Sequence, residues 1–538
     1  MKPIRKVKLT ETNVWRKDFR KTPLRIAVCY PNTYKVGMCS LAVQILYHYL
    51  NTFDEVLAER CFYEGAGIRP LTIESNRPLL DFDVIAFSLQ YEIDYVNAIR
   101  MLIDSGIPPS RKKREKDEKV PLVIAGGICA VENPKPLEEY IDVFFIGEAE
   151  VLLDKFVEVL LSERFHERKN KKRIKLELAG LEGIYVPGYS QSTVRRVYVK
   201  DLNKVSYPVR QVTPLEVPED HMPVYGRAFL LEVSRGCPFM CRFCLLGYTF
   251  KPYRYHSFSN LMNIIKKGIR TTGTKKVVII SSAIGNYPYL KKLLEELIEG
   301  LSLTIAIPSM RIDLLDNDLA YLLRLGGQRT LTIAPEVASE DLMRIINKDL
   351  DLDKIYDNCK VALEAGIKQL KLYFLLGVPY EDVTHIRAIA DMIHRILDIG
   401  YEGIHVVRLS INPLIPKPHT PFQWLSFPEL KSLRTKMREL KKLIRDPRVS
   451  LAFLNPKWAR VQVLLSRGNR DIGKLLLYVA KRGNSLSIWE SLLKKPSLLR
   501  IVHEELDINE QLPWDFIDTG IPKSFLIKEY EKIHAFFA

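Results

Sequence analysis

The sequence predicts an α/β protein in two parts: an N-terminal, doubly wound Rossmann-like sheet, then a partial (β/α)6 barrel of TIM type, followed by a mostly helical C-terminal region. Three observations lead there. Short apolar runs alternate with amphipathic stretches through residues 24–160. The same rhythm resumes through 226–425, with six runs. Beyond 425 the apolar residues recur at helical spacing.

Residues 1–23 are a basic extension lacking the apolar stretch of an export signal. Five strand candidates follow: LRIAVCYP (24–31), VLAERCFY (56–63), DVIAFSL (83–89), PLVIAGG (121–127) and DVFFIGE (142–148). Helical patterns such as 38–53 and 93–106 separate them. Open sheets of this kind bind ligands at their carboxyl ends, which here carry PNTYKVG (31–37), SLQYE (88–92), GGICAVENP (126–134) and GEAE (147–150). Glycine and small polar residues there let a large ligand approach the backbone, although ordinary turns read the same way. Residues 161–225 read as a charged linker and β-rich connector, and both RKKREKDEK (111–119) and ERFHERKNKKRIK (163–175) as solvated segments. The barrel strands are expected at 228–236, 276–282, 303–311, 330–336, 369–377 and 403–413. Arg235, Ser281, Ser282, Arg311 and Glu336 end them, on the rim where barrels perform chemistry. Residues 426–538 form the basic helical remainder.

A hydrophobic fraction of 47% suits a globular protein with sizeable cores. No apolar run approaches the roughly 20 residues of a bilayer span, so stable membrane insertion is not expected and a cytoplasmic location is. The net charge is +16, concentrated in 426–500, which holds 18 Lys/Arg against 5 Asp/Glu. Such a block can attract nucleic acid, phospholipid head groups or an anionic substrate. Solvated helix faces are the preferred reading, and nucleic acid is not favoured, because no aromatic residues interleave in the manner of single-strand binders.

Five cysteines, Cys29, Cys39, Cys61, Cys129 and Cys359, lie scattered in apolar contexts and read as small hydrophobes. The other three stand within eight positions, in SRGCPFMCRFC (234–244). A structural zinc would want four ligands; no fourth cysteine is near, and the closest histidine, His256, lies twelve residues on. Three thiolates in a short loop suit an iron–sulfur cluster with one iron left without a protein ligand. The loop follows the first barrel strand, which puts it at the rim. Gly236 permits a sharp turn, and Arg235 adds positive charge beside an anionic cluster.

CPFMCRFC resembles the CxxxCxxC loop of the radical S-adenosylmethionine (radical SAM) enzymes. The resemblance implies that Cys237, Cys241 and Cys244 hold a four-iron four-sulfur cluster. Its fourth iron would chelate S-adenosylmethionine, and one electron would cleave it to a 5′-deoxyadenosyl radical. It also implies an external electron donor of the flavodoxin or ferredoxin type. By the same resemblance Phe243 lies against the adenine. SSAIGN (281–286) stands where the family often has Gly-Gly-Glu and departs from it, so Ser281 and Ser282 are the weaker contacts. SMRID (309–313) and APEVASEDL (334–342) are similar to the elongator-like and methylthiotransferase-like branch and imply Ser309, Arg311 and Glu336. LLGVP (375–379) resembles the late-strand turn that packs the adenine through Gly377.

GGICAVENPKPLEEYIDVFFIGEAE (126–150) resembles the cobalamin-binding domain that precedes many radical SAM cores. Residues 30–51, PKPHTPFQW (416–424) and SRGNRD (466–471) are similar to a fused branch whose substrates are poorly known. The cobalamin contacts implied are Tyr34 and Gly37 in the first loop, Ser88, Gln90 and Tyr91 in the second, Gly126 and Gly127 in the third, and Glu148 in the fourth. The Asp-x-His-x-x-Gly motif that ligates cobalt elsewhere is absent. Cobalamin would then bind without a protein histidine on cobalt, or the domain has lost it.

The leading expectation is a cobalamin-dependent radical SAM enzyme that methylates an unactivated carbon; rearrangement or coupling without methyl transfer stays open. A second is a tRNA-modifying enzyme of methylthiotransferase type, with another cluster on Cys29, Cys39 and Cys61. A third is a cobalamin- or anion-binding module with a structural cluster. Neither the substrate nor a catalytic acid or base is legible in the sequence.

Overall fold

The computed structural model describes residues 9–162, 170–190, 193–399 and 406–536. The N-terminal sheet is built from β1 (Leu24–Tyr30), β2 (Val56–Phe62), β3 (Val84–Ser88), β4 (Leu122–Gly126), β5 (Val143–Phe145) and β6 (Ile184–Tyr185), in the order β2-β1-β3-β4-β5-β6. The first five are parallel; β6, taken from the connector, runs antiparallel to β5. Parallel strands are covered on both faces, which is why these read as continuous apolar runs. One face (Ile26, Val28, Ala86, Ile124) packs under α1 (Leu41–Thr52) and, further along the chain, the helix Leu153–Leu161. The other (Ala27, Cys29, Phe87, Ala125) packs on α2 (Tyr95–Asp104) and α3 (Ile128–Glu132), and its core runs on into the barrel. We call Leu153–Leu161 α4.

The two charge-rich segments do more than bathe in solvent. Arg111–Glu115 and Lys171–Ala179 are helices, and Arg114 and Lys175 turn inward onto the buried Asp142, at 2.9 and 2.7 Å. Lys175 also lies 3.7 Å from Glu115, so two cations meet two carboxylates where the segments close over the sheet's edge. Residues 163–169 of the second segment lie outside the described residues.

The six expected barrel strands form in two parallel groups: β7 (Phe229–Glu232), β8 (Lys276–Ile280) and β9 (Thr304–Ala306); then β10 (Thr330–Glu336), β11 (Gln369–Leu376) and β12 (Val406–Pro413). A seventh strand, β13 (Val449–Phe453), pairs parallel with β12 after the crossover helix α5 (Leu430–Leu443), so the sheet continues past residue 425. Its half-exposed, edge-type pattern hid it among helical charge. Helices α6 (Pro456–Arg467) and α7 (Ile472–Arg482) follow. No helix among the described residues is long and apolar enough to cross a membrane.

Four motifs far apart in sequence meet in one buried knot. Glu92 and Glu132, each 1% exposed, flank the Lys417 ammonium, which bonds Glu92 and lies 3.1 Å from Glu132 Oε1. From α6, Gln462 Nε2 donates to Glu92 (3.0 Å) and Ser466 Oγ bonds Glu132. Asn133 Nδ2 donates to the Ser466 and Gly468 carbonyls at 2.9 and 2.8 Å. Sheet edge, barrel rim and helical region are thereby joined. Replacing Lys417 by Met, which keeps the apolar stem, leaves the buried Glu92 without its cation, beside Glu132, whose carboxyl burial pushes up to about 8. We expect a loss of about 3–5 kcal/mol, read as a lower midpoint in denaturant unfolding; an unchanged midpoint would show the knot to be energetically idle.

Candidate active site

β7 delivers the chain to the rim, where Ser234–Arg235 pairs antiparallel with Arg254–Tyr255. The chain then reverses at Gly236, whose φ is +82° and where a Cβ would sit 2.4 Å from the Phe250 carbonyl oxygen. Only glycine fits that turn. Next come Cys237, Cys241 and Cys244, free and half-buried. Burial raises all three thiols, Cys241 to about 12, and each is raised further by charge on a neighbouring cysteine or, for Cys244, on Glu336. Lys348 opposes this at Cys241 and Cys244, as Arg311 does at Cys237 and Cys241. Desolvated thiols that interact with one another, with two cations in reach, suit a group that deprotonates them as it binds, which is what metal ligation does.

The spacing also discriminates. A single zinc with bonds of about 2.3 Å needs its thiolates about 3.8 Å apart. Among the described residues, the one trio of ligand atoms mutually within 4.8 Å is that of Glu92, Cys129 and Glu132, in the knot around Lys417. The three loop sulfurs are not all mutually within that distance, so they do not form a preset single-ion site.

Beside this loop a small cavity of about 120 Å³ is lined by Ser282, Ser309, Arg311 and Lys348. The Arg311 guanidinium stands 4.1 Å from the centre of the Phe239 ring, within the cysteine loop, and pairs with Asp313 at 2.9 Å. Lys348, which no sequence pattern marked, pairs with Glu336 at 3.0 Å. Ser281 Oγ lies 2.6 Å from Ser234 Oγ. Phe243, Glu336 and Gly377 line neither this cavity nor the larger one. Phe243 packs against the core. Gly377, φ +87°, donates its N–H to Glu381 (3.0 Å) and abuts Pro428, where a Cβ would come within 2.5 Å: a turn demanded by packing.

The larger cavity, about 540 Å³, lies between the carboxyl edge of the N-terminal sheet and the barrel rim. Ser88, Gln90, Gly126, Gly127 and Glu148 line it from the sheet; Arg235, Gly236, Ser281, Ser282 and Ser309 line it from the barrel. Ser282 and Ser309 belong to both cavities, so the two adjoin. From the rim it runs on as an apolar slot between the sheet (Ile26, Ala86, Ile124) and α1 and α4 (Leu46, Leu50, Phe156). At Gly127, φ +103°, a Cβ would lie 2.4 Å from the Leu89 carbonyl oxygen. Three residues expected at this edge do not line it. Tyr34 is buried, bonding Glu11 through its hydroxyl (2.8 Å). Gly37 makes room for the Phe62 ring, 2.4 Å from a would-be Cβ. Tyr91 is 37% exposed.

Arg235 does not offer free positive charge to the cysteines. It binds Glu148 (2.7 Å) and Glu150 (2.9 Å) of the sheet edge and Glu232 (2.8 Å) of its own strand. Arg254 adds a second cation to Glu148 at 2.9 Å. Burial by itself would raise the Glu148 carboxyl, but Arg235 and then Arg254 outweigh it and hold it below the usual range. Sequence reasoning took Glu148 for a ligand contact and missed Glu150 and Arg254, because nothing in a linear pattern shows which charges meet across two domains. His256 is buried, pushed down to about 4, and bonded to Asn260 (3.0 Å).

Residues 42–187 match the family model described as "Radical SAM proteins, N-terminal", and residues 231–393 that of the radical SAM superfamily. The chain belongs to the radical SAM superfamily and is an enzyme. It is 32% identical over 474 residues to an uncharacterized protein of Methanocaldococcus jannaschii, covering 88% of this chain and 94% of the relative. It is 23% identical over 375 residues to a putative methylthiotransferase of the same organism, covering 67% and 74%. Among solved structures it resembles TsrM of Kitasatospora setae, a radical SAM methyltransferase with cobalamin and a [4Fe-4S] cluster bound (TM-score 0.52, 14% identity, 85% of this chain and 99% of that one). It also resembles OxsB, a cobalamin-dependent S-adenosylmethionine radical enzyme (TM-score 0.51, 14%, 96% and 79%). These likenesses establish the fold: a Rossmann-type sheet set before a TIM-like barrel.

The depressed Glu148 carboxyl has a definite pH signature. Its contribution to stability is complete above the ordinary carboxylate value near 4.5 and is lost as pH falls through its lower folded value. Glu148→Gln should cost about 3–5 kcal/mol at neutral pH and flatten the fall in thermal midpoint below pH 4.5. Parallel profiles for the two proteins would refute the pairing.

Proposed function

We propose that this chain is a cobalamin-dependent radical SAM enzyme that transfers a methyl group to an unactivated carbon. The observation that carries the reading is that one cavity joins the glycine-cradled sheet edge to the cysteine-loop rim, so two cofactors held there would face each other. Cys237, Cys241 and Cys244 are the residues suited to a [4Fe-4S] cluster. Arg311 and Lys348, with Ser282 and Ser309 beside them, are suited to the charged methionine end of S-adenosylmethionine. When bound, the cluster and S-adenosylmethionine supply a 5′-deoxyadenosyl radical, and the corrin carries the methyl group.

The chain's own contribution is placement and exclusion of water. Gly126 and Gly127 put backbone without side chains on the cavity wall where a flat macrocycle would lie, while the space a Cβ would need at Gly127 is taken by the Leu89 carbonyl. The apolar slot under α1 and α4 suits the nucleotide tail of cobalamin. No histidine lines the large cavity among the described residues, which fits a corrin held without a protein nitrogen on cobalt. The reading of a second cluster on Cys29, Cys39 and Cys61 draws no support from the geometry: Cys29 and Cys61 are fully buried partners within the sheet, while Cys39 bonds the Val224 N–H elsewhere. An external low-potential donor is required by the same chemistry.

Anaerobically purified protein should carry about four irons per chain and bind hydroxocobalamin. Reduced, it should convert S-adenosylmethionine to 5′-deoxyadenosine. Cys241→Ala should lose both iron and cleavage, whereas turnover persisting in that variant would sink the cluster assignment. Leu46→Trp, which fills the apolar slot, should weaken hydroxocobalamin by about tenfold or more with iron content unchanged; cleavage without any corrin binding would remove the cobalamin half alone.

A further inference from the structure

The basic block after residue 425 is ordered in space. On α5 the cations Lys431, Arg434, Arg438 and Lys441, with Arg445 just beyond its end, fall at intervals of three and four residues. All five are exposed, while Leu433, Met437 and Leu440 on the opposite side are buried against the barrel. They form one stripe about 21 Å long at 1.5 Å per residue. None of the five has a carboxylate partner within 4 Å among the described residues: Arg438 bonds the Arg434 carbonyl and the Thr435 hydroxyl, and Lys441 lies 5.2 Å from the Phe453 ring centre. The remaining cations of the helix are neutralised, Lys436 by Glu381 and Lys442 by Glu439. Charge repulsion along such a row is relieved only by an anion.

We propose that this stripe is a docking surface for the phosphodiester backbone of single-stranded RNA. A stacked strand rising about 3.4 Å per nucleotide presents about six phosphates over the same length. A bilayer is a poor fit, because the apolar side of α5 is already buried and cannot insert. A protein partner is disfavoured too: interface cores are depleted in lysine and built around apolar or aromatic anchors, and the stripe holds none. Packed along the barrel, the helix cannot enter a duplex groove; RNA is the nucleic acid that exposes single strands. The stripe begins beside Pro428, which abuts Gly377 at the carboxyl end of β11, so a strand lying on it leads toward the barrel mouth. The inference does not depend on methyl transfer.

The test uses full-length protein and a fluorescein-labelled 20-nucleotide single-stranded RNA. Five phosphate contacts predict a slope of about −3.5 in log affinity against log salt, or about 100-fold weaker binding between 50 and 200 mM. The triple variant R434E/R438E/K441E should lose about tenfold or more in affinity and drop to a slope of about −1.4. A control of equal charge change, K481E/K494E/K495E, should stay within about threefold, and both should keep the wild-type iron content. Equal losses in the two variants would overturn the stripe in favour of diffuse charge. Binding of polyglutamate as tight as that of the RNA would overturn the choice of partner.

Discussion

The arrangement depends on a buried carboxylate held by two guanidinium groups. Glu148 leaves the fifth strand of one sheet and meets Arg235, two residues before the first cysteine of the other unit, and Arg254, on the segment that pairs with it. A carboxylate so buried is costly unless its partners are rigid and complete. Here they are backbone-fixed on both sides of the domain boundary. The pairing therefore does what apolar contact cannot: it sets direction and distance between the carboxyl edge of the N-terminal sheet and the cysteine loop of the barrel.

A second tie, chemically its mirror, stands across the sheet edge. There one lysine is held by two carboxylates, and the lysine comes from the loop after β12 while the carboxylates come from the sheet. The sheet edge is thus fixed to the barrel after its first strand and again after its sixth. The larger cavity opens at that edge, and both its walls are anchored to the same frame. Enzymes that use two cofactors need this more than they need extra contacts to either one, because the reacting atoms must meet within a fraction of an ångström.

The fold was largely legible because parallel strands must be apolar on both faces, and a strand appears within each of the eleven candidates proposed from that pattern, although the third barrel strand stops five residues early at Ala306 and residues 403–405 of the last candidate lie outside the described residues. β13 escaped because half-exposed edge strands lack the pattern. The three cysteines were legible because spacing in a short loop survives folding. Lys348, Glu150 and Arg254 were not, since their roles come from partners 12 to 106 residues away. Tyr34 and Gly37 illustrate the opposite error. A glycine in a carboxyl-end loop resembles a ligand cradle, yet here the space it leaves is taken by Phe62.

The same distinction bears on PKPHTPFQW and SRGNRD. Both have the composition of functional loops, rich in polar, proline and glycine residues, yet PKPHTPFQW and the Ser466–Gly468 part of SRGNRD are packed inside the joint between domains, and only Asn469–Asp471 reach solvent. There Lys417 and the Ser466 hydroxyl both bond Glu132, and Asn133 donates to the Ser466 carbonyl. A polar motif placed at the seam of two units has a physical reason to be specific without touching substrate. Buried charges are satisfied in one relative orientation and penalised in every other. Apolar surfaces would tolerate sliding; two acidic side chains closed around one lysine do not, and the cavity between sheet edge and barrel rim inherits that intolerance.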